Sequence, residues 1–247
     1  MSSRFMNVDL VTNSGDTPND RLAVLLGHLC SELDSGPDTF NINHARDLAH
    51  QAKNVIDGYD DYVVKHTSRH PPILDEMLKN GFEHDWEKVF EEGKTKFRLL
   101  PDMTAGGYEA VVLQHLARMS KAATILEIGM FTGTTTVSLA LVPRVEKVVA
   151  LELEGYLEEH NRPYFDRAGV SDKIDVRIGD ALQSLDQLVR ENACFDMVFL
   201  DADKPSYAKY FEKIINSSPS LLAKGGCIVA DNVAWRGQLW LPTARTQ

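Results

Sequence analysis

The sequence predicts an α/β protein built on a doubly wound parallel sheet, preceded by a set of helices that caps the sheet. Two observations predict this class. From about residue 101, short apolar segments of strand character alternate with segments of helical periodicity, which is typical of parallel strands joined by helices. A glycine-punctuated turn, Gly129 to Gly133, follows the first of these strand segments and leads directly into a helix.

Five apolar segments are predicted to be strands, and helical patterns separate them. The predicted strands are 125–128, 145–151, 173–178, 195–200 and 227–230. The predicted helices are 110–119, 134–141, 156–168, 181–192 and 207–215. Gly225-Gly226 is predicted to be a turn before the fifth strand. Because helices join consecutive strands, we expect the carboxyl ends of all five strands at one edge of the sheet.

The first hundred residues have a different character. Residues 1–19 are rich in Ser, Asn, Asp, Gly and Pro without periodicity, and are predicted to be a disordered lead-in. Residues 20–100 carry apolar stripes at helical spacing, weakened at Gly58 and broken at His70-Pro71-Pro72. These helices are too small to form a core alone. We therefore predict a helical cap over 20–100 that forms the substrate region, followed by a ligand-binding domain over 101–247.

Composition argues against several classes of partner. The 247 residues carry a net charge of −10 with no dense run of Lys and Arg, so nucleic acid and anionic membranes are not expected partners. No apolar run approaches the ~20 residues of a membrane span, and the N-terminus lacks the apolar segment of a signal peptide. The three cysteines are too few and too scattered for a disulfide framework or a zinc site. We expect a cytoplasmic protein.

The glycine turn has two interpretations. Gly129 and Gly133 do not match the G-x-G-x-x-G dinucleotide motif, and a purely structural turn explains them equally well. Glu152, which ends the second predicted strand, favours a ligand site, because a carboxylate there can accept both hydroxyls of a ribose. Glu154 is the alternative if the strand ends later. NAD and adenosyl ligands share that ribose, so both stay open. Asp180-Ala181 would lie beside the adenine, although the aspartate can equally cap the next helix.

Oxygen donors follow the fourth and fifth predicted strands. Asp201 comes directly after one apolar strand, and Asp231-Asn232 comes directly after the other. Two carboxylates and an amide, with no His or Cys nearby, suit Mg²⁺ or a similar divalent cation. A single strand-end aspartate often only caps a helix, but two at neighbouring strands favour a site. Lys204 either reaches a substrate hydroxyl held by that cation or is a solvated surface lysine.

Taken together, these motifs resemble the cation-dependent class I O-methyltransferases, the S-adenosylmethionine enzymes of the caffeoyl-CoA and catechol type. The resemblance covers about 103–241 and is carried by the segments 125–133, 150–152, 168–170, 173–174, 199–207 and 231–232. It implies a Rossmann-like sheet, S-adenosylmethionine as cofactor, and Mg²⁺ or a similar divalent cation. It also implies a small vicinal-diol, catechol or enediol acceptor, and association into homodimers.

By position, the resemblance also implies a role for each site residue. The implied cofactor-binding residues are Met103, Ala105, Glu127, Gly129, Met130, Gly133, Thr135, Glu152, Asp180, Ala181 and Asp201. The implied metal ligands are Asp201, Asp231 and Asn232. Lys204 is the implied general base, and Asp201 is the second implied catalytic residue.

A further likeness reaches back into the helical half, where the caffeoyl-CoA enzymes match poorly. The segments 58–61, 85–86, 129–133 and 237–242, with Phe90 and Gly93, are similar to the O-methyltransferases of mycosporine (4-deoxygadusol) biosynthesis.

The chain departs from the family pattern at three places. Ala105 stands where the family usually has Thr or Ser, and Arg236 differs in type from the residue that contacts substrate in the family. Only 15 residues follow Asn232, so strands 6 and 7 of the family are expected to be missing. The alternative function is therefore a catalytically impaired adenosyl-binding or interaction protein. An NAD-dependent dehydrogenase is disfavoured by the absent third glycine and by the metal ligands.

Overall fold

The computed structural model describes residues 26, 27, 30 and 42–234, and these fall into two compact units. One unit holds the described residues up to His66 together with those from Asn232 onward, and the other is Thr67–Asp231. The predicted lead-in, 1–19, lies outside the described residues. The helices of 67–100 belong to the sheet-containing unit, because Leu74 and Met77 pack into its core. The division therefore lies near residue 66, not near residue 100 where the sequence pattern changes.

The elements follow one another as alternating helices and strands once the sheet begins. The helices are α1 (Ile42–His66), α2 (Pro72–Glu83), α3 (Trp86–Glu91), α4 (Gly107–Met119), α5 (Thr134–Ala140), α6 (Gly155–Ala168), α7 (Ala181–Arg190) and α8 (Tyr207–Asn216). The strands are β1 (Thr124–Ile128), β2 (Lys147–Glu152), β3 (Ile174–Ile178), β4 (Phe195–Leu200) and β5 (Leu222–Ala230). The predicted α/β class and the five predicted strands are confirmed.

The sheet of the Thr67–Asp231 unit has the strand order β3-β2-β1-β4-β5, and every neighbouring pair is parallel. The strand order reverses between β1 and β4, where a doubly wound sheet opens a crevice at the carboxyl ends of its strands. Ile128 of β1 lies opposite Leu200 of β4, and Leu200 lies opposite Ala230 of β5. The loops after β1, β4 and β5 therefore leave the sheet side by side.

Alternate residues of each strand pack into two separate apolar layers, as the two-residue period of a strand requires. On one face, Ile125, Val148 and Met197 pack with α2, α4, α5 and α6. On the other face, Leu126 and Val198 pack with α7 and α8. Because both faces are covered by helices, the strands are almost continuously apolar, which explains why the sequence alone reveals them.

One local prediction was wrong. Gly225-Gly226 is not a turn before the fifth strand but lies inside β5, where the register with β4 shifts between Phe195 and Met197. Gly225 has a φ of 84°, so glycine accommodates the irregularity in the strand. The weakened pattern at Gly58 does not interrupt the helix of the other unit, because α1 runs through it to His66. No helix in the described part of the chain is both long enough and apolar enough to cross a membrane.

Candidate active site

The glycine turn joins β1 to α5 at the carboxyl edge of the sheet. Gly129 and Gly133 have φ values of 98° and 69°, which glycine adopts without strain. Gly129 is required for a second reason, because a Cβ there would lie 2.0 Å from the carbonyl oxygen of Asp201. The turn after β1 and the loop after β4 are thus in backbone contact.

Phe131, in the middle of the turn, also has a positive φ of 45°, which is unusual for a bulky residue. Its carbonyl oxygen accepts a hydrogen bond of 2.6 Å from the side-chain Nδ2 of Asn161, a fully buried residue of α6. Its ring lies 5.1 Å, centroid to centroid, from the ring of Trp86 on α3. The turn is therefore fixed by α6 and α3 and does not rely on its own sequence alone.

Glu152 ends β2, as predicted, and its carboxylate binds the backbone of two loops. Oε2 accepts hydrogen bonds from the N–H groups of Met130 and Phe131, at 3.2 and 2.9 Å. Oε1 accepts from those of Leu153 and Glu154, at 2.7 and 3.0 Å. Burial raises the pKa of Glu152, and these four hydrogen bonds act in the opposite direction. The carboxylate is held rigidly beside the glycine turn.

Glu154, the alternative to Glu152, and Asp180, which was predicted beside the adenine, both have local structural roles. Glu154 is buried, and its Oε1 accepts hydrogen bonds from the backbone N–H groups of Lys96 and Phe97, at 2.8 and 3.0 Å. Asp180 is the N-cap of α7 and accepts a hydrogen bond of 2.9 Å from the N–H of Gln183. The geometry therefore favours Glu152 over Glu154 as the carboxylate of the turn, and Asp180 does cap the helix.

Glu127 lies on β1 and is fully buried. Its two carboxylate oxygens accept hydrogen bonds from the hydroxyls of Thr135 and Thr136 in the first turn of α5. Burial raises the pKa of Glu127 to about 8, although those two hydrogen bonds lower it. Glu127 thereby ties β1 to the helix that follows the glycine turn, and Thr135 is one of its partners.

The remaining predicted cofactor residues differ in exposure. Met130 is buried, whereas Met103 is 44% exposed in the 3₁₀ turn Pro101–Met103. Ala105 lies between that turn and α4 and is half-buried. Ala181, the first residue of α7, packs against the apolar layer that contains Leu126 and Val198. Their predicted contacts with the cofactor stay predictions.

Three carboxylates meet beyond the ends of β4 and β5. Asp201, Asp231 and Glu109 each place one oxygen so that all three oxygens lie within 4.8 Å of one another. The structure thus brings together two of the three predicted metal ligands. Carboxylate oxygens at such spacing are chemically suited to a hard divalent cation.

Glu109, in the first turn of α4, was not predicted from the sequence. Its Oε1 is buried and has no hydrogen-bond partner among the described residues. Burial, together with the charges of Asp231 and Asp201, raises the pKa of Glu109 to about 8. The sequence held a weak indication of a site at Glu109, because this acidic residue adjoins the apolar stripe Ala110, Leu113 and Ala117. Nothing in the sequence alone brings that helix turn to the carboxyl ends of β4 and β5.

Lys204 is bound to the cluster and is not a solvated surface lysine. Its Nζ donates hydrogen bonds to Asp201 Oδ1 at 2.7 Å and to the Tyr207 hydroxyl oxygen at 3.0 Å. The Tyr207 hydroxyl donates in turn to the carbonyl oxygen of Leu200. Burial acts to lower the pKa of Lys204, but the charge and hydrogen bond of Asp201 raise it overall. Lys204 is therefore the counter-ion of Asp201 in the structure.

Asn232 follows Asp231 directly and has a left-handed φ of 53°. It is the first residue of the other unit's C-terminal part, and its predicted role as a metal ligand stays a prediction. Arg236 and the segment 237–242 lie outside the described residues.

A parallel sheet of this order, with a glycine turn after β1 and a carboxylate at the end of β2, defines the Rossmann-like class of enzymes that bind nucleoside cofactors. A family model described as O-methyltransferase matches residues 71–246. The chain belongs to that O-methyltransferase family.

Individual relatives agree with this assignment. Tricin synthase 1 of Oryza sativa subsp. japonica is 39% identical over 158 residues, which are 59% of this chain and 61% of the relative. A caffeoyl-CoA O-methyltransferase of Zinnia elegans is 30% identical over 203 residues, covering 80% of this chain and 76% of the relative. The crystal structure of an O-methyltransferase from Bacillus cereus in complex with SAH superposes with a TM-score of 0.60 at 29% identity, covering 74% of this chain and 76% of that one.

By family and fold, the chain is similar to the S-adenosylmethionine-dependent O-methyltransferases of the caffeoyl-CoA and catechol type. The resemblance stated from the sequence is thereby confirmed at the level of the family, and the open choice between NAD and an adenosyl cofactor is decided for the adenosyl cofactor. The likeness to the mycosporine enzymes stays a prediction. The chain spans less than two thirds of the rice relative's length, so its acceptor and its metal are matters for proposal.

Proposed function

We propose that this protein is a divalent-metal-dependent O-methyltransferase that methylates one of two adjacent oxygens of a small vicinal-diol, catechol or enediol acceptor. The observation that carries the proposal is the meeting of Asp201, Asp231 and Glu109 oxygens within 4.8 Å beside the glycine turn. The buried Oε1 of Glu109, which has no hydrogen-bond partner among the described residues, supports the same conclusion, because ionising a carboxyl there is unfavourable unless a cation compensates its charge.

Asp201 and Asp231, with the amide of the adjacent Asn232, are the residues that would hold Mg²⁺ or a similar cation. Such a cation, when bound, polarises an acceptor hydroxyl and lowers its pKa. Asp201 also keeps Lys204 in place through their 2.7 Å contact, so that Nζ lies at the cluster. An acceptor bound there through two oxygens has a fixed orientation, which is itself a large part of a transfer reaction.

Lys204 is the group we assign to the proton. The methyl group moves from the sulfonium sulfur of S-adenosylmethionine to the acceptor oxygen, so one S–C bond breaks and one O–C bond forms. The acceptor proton passes to Nζ of Lys204, and S-adenosylhomocysteine leaves with a neutral sulfur. A cation bound to Asp201 would compensate the charge of that carboxylate, so Lys204 would no longer be its counter-ion. The neutral amine of Lys204, which is needed to accept the proton, would then be favoured.

The cofactor half of the site follows from the glycine turn. We assign the ribose hydroxyls to Glu152 and the adenine to the neighbourhood of Asp180 and Ala181. The methionine part would lie along the turn itself, near Gly129 and Met130. Glu152 suits its role by its position at the carboxyl edge of the sheet, beside the glycine turn. Backbone N–H groups already fill its roughly four acceptor positions, so ribose hydroxyls would replace some of these hydrogen bonds. Met103 and Ala105 would border the methionine part from the 3₁₀ turn before α4.

Methylation of a catechol-type acceptor tests the proposal. Metal-stripped protein is incubated with S-adenosylmethionine and a catechol or cyclohexenone enediol, with and without Mg²⁺, and the methylated product is measured by mass spectrometry. We expect product only with Mg²⁺, and at least about 100-fold less from Asp231→Asn. Exposed Glu91→Gln on α3 is the matched control and should react like the wild type.

The same experiment distinguishes the alternative function from the proposed one. An adenosyl-binding protein that does not catalyse would bind S-adenosylhomocysteine in a calorimeter but form no product at any Mg²⁺ concentration. Product formed equally well in EDTA would contradict the metal dependence while leaving the methyltransferase assignment intact.

A further inference from the structure

The acidic cluster contains one carboxylate more than the predicted ligand set, and the extra one is Glu109. Its position is set by α4, which begins at Gly107 and places Glu109 in the first helical turn. A role for Glu109 at this place rests on the proposed function, because it concerns the same cation.

Helix α4 is fixed to the core, so Glu109 is not a mobile rim side chain. Ala110, Leu113 and Ala117 of this helix are buried. The hydroxyl of Ser138 on α5 donates to the carbonyl oxygen of Ala110 at 3.1 Å, and the Gln114 side chain donates to the carbonyl oxygen of Ser138 at 2.9 Å. Helix α5 starts at the end of the glycine turn. The backbone of Glu109 is therefore fixed relative to the cofactor turn.

The spacing of the three oxygens fits one shared cation. Ligand oxygens lie about 2.0–2.1 Å from Mg²⁺ and about 2.3–2.6 Å from Ca²⁺, so two ligands on opposite sides of one ion are about 4–5 Å apart. The oxygens of Glu109, Asp201 and Asp231 all lie within 4.8 Å of one another. One ion can contact all three after small side-chain adjustments.

The surroundings leave Glu109 poorly compensated without such an ion. Lys204 donates its hydrogen bonds to Asp201 and Tyr207 and not to Glu109. Glu109 Oε1 is buried and has no hydrogen-bond partner among those residues. A purely structural glutamate at this helix position would instead close a capping box on the helix N-terminus. The buried oxygen of Glu109 makes no such bond.

We propose that Glu109 is a further ligand of the cation, so that the protein holds it with three carboxylates, one from α4 and one from directly after each of β4 and β5. The site then has one more negative charge than a two-aspartate site, which strengthens the binding of hard divalent cations. It also links the cation to α4, the helix that follows the 3₁₀ turn expected to border the cofactor. Glu109 thereby determines metal affinity in addition to the predicted ligands.

Binding of Mn²⁺, followed by the loss of the free-ion electron paramagnetic resonance signal, tests this without any turnover. The variants are Glu109→Gln, Glu109→Asp and Asp231→Asn, with Glu91→Gln as the matched control. We expect one Mn²⁺ per wild-type chain and at least about 10-fold weaker binding by Glu109→Gln. Glu109→Asp should be intermediate, because it keeps the charge but is one methylene shorter, and Glu91→Gln should bind like the wild type.

A thermal melt without metal checks the folding of Glu109→Gln. If Glu109 is a metal ligand, its replacement removes a buried carboxyl whose ionisation is unfavourable beside Asp201 and Asp231, so the metal-free Tm is unchanged or higher, while the rise in Tm caused by Mn²⁺ shrinks. If its role is structural, the metal-free Tm falls and the Mn²⁺-induced rise is kept, which overturns the proposal.

Two binding results also overturn it, and they are distinguishable. Wild-type affinity in Glu109→Gln, together with lost binding in Asp231→Asn, removes Glu109 from the ligand set and leaves the proposed metal-dependent function standing. Absence of Mn²⁺ binding to the wild type removes both.

Discussion

The two halves of the candidate site differ in how their charges are satisfied. On the β2 side, the Glu152 carboxylate accepts four backbone hydrogen bonds and the turn beside it is fixed by Asn161 and Trp86. On the β4–β5 side, three carboxylates meet, Lys204 is hydrogen-bonded to Asp201, and a buried oxygen of Glu109 lacks a hydrogen-bond partner among the described residues. The charges of the cofactor half are satisfied by the protein alone, whereas the proposed cation would satisfy those of the metal half.

The largest expected effect is on the contact that joins the halves. Gly129→Ala places a Cβ 2.0 Å from the Asp201 carbonyl oxygen and requires alanine at a φ of 98°. We expect a loss of about 3 kcal/mol or more in the free energy of unfolding, from strain and overpacking, and no measurable binding of S-adenosylhomocysteine. Chemical denaturation and calorimetry measure the two quantities.

Gly169→Ala is the matched control for strain alone. Gly169 also has a positive φ, of 68°, but a Cβ added there would meet nothing within 4 Å, and the residue is the C-cap of α6. We expect a cost of about 1–2 kcal/mol and normal cofactor binding. If Gly129→Ala behaves like this control, the two loops are not coupled as described.

Lys204→Met tests the metal half of the site and leaves the cofactor half unchanged. The rate of methyl transfer should fall about 10²–10⁴-fold, which is the usual contribution of a general base. The Kd for S-adenosylhomocysteine should stay within a few-fold of wild type, because Lys204 contacts Asp201 and Tyr207 and not the glycine turn. Steady-state kinetics and calorimetry provide both values. An unchanged rate would show that another group takes the proton.

Glu152→Gln tests the cofactor half. Glutamine has one acceptor oxygen, so one pair of backbone N–H groups loses its partner, and we expect a loss of about 2 kcal/mol or more in stability. Binding of S-adenosylhomocysteine should weaken about tenfold, while Mn²⁺ binding is unchanged. Glu154→Gln is the matched control, because both of its backbone hydrogen bonds go to the single oxygen Oε1. Equal effects in the two variants would contradict the distinction drawn between them.

The smallest effect concerns a region outside both halves. Burial, with a smaller contribution from His84, lowers the pKa of His160 to about 4 from its ordinary value of 6.5. Between those values the unfolded chain binds more protons than the folded one, so stability falls as pH drops from 6.5 towards 4. His160→Gln should reduce this fall in Tm, measured by thermal melts from pH 7 to pH 4.5. A pH profile identical to wild type would show that other groups cause the acid sensitivity.

The sheet could be predicted from the sequence because each strand is a short apolar segment. The acidic residues that follow the strands could be recognised in the same way, from their neighbours in the sequence. The glycine turn, the strand-end positions of Glu152, Asp201 and Asp231, and the helix-capping alternative for Asp180 could all be recognised from neighbouring residues. Glu109 could not, because its place in the cluster depends on how α4 packs against α5 and the sheet. The ion pair of Lys204 with Asp201 was also missed, since a three-residue spacing permits the contact but does not require it.

The central claim, that Asp201 and Asp231 share one cation, is tested most directly by crystals grown with Mn²⁺ and S-adenosylhomocysteine. An anomalous difference map should show one strong peak at about 2.0–2.3 Å from an oxygen of each aspartate, with Lys204 no longer hydrogen-bonded to Asp201. A map without a peak at this cluster, in which Lys204 still pairs with Asp201, would contradict the account.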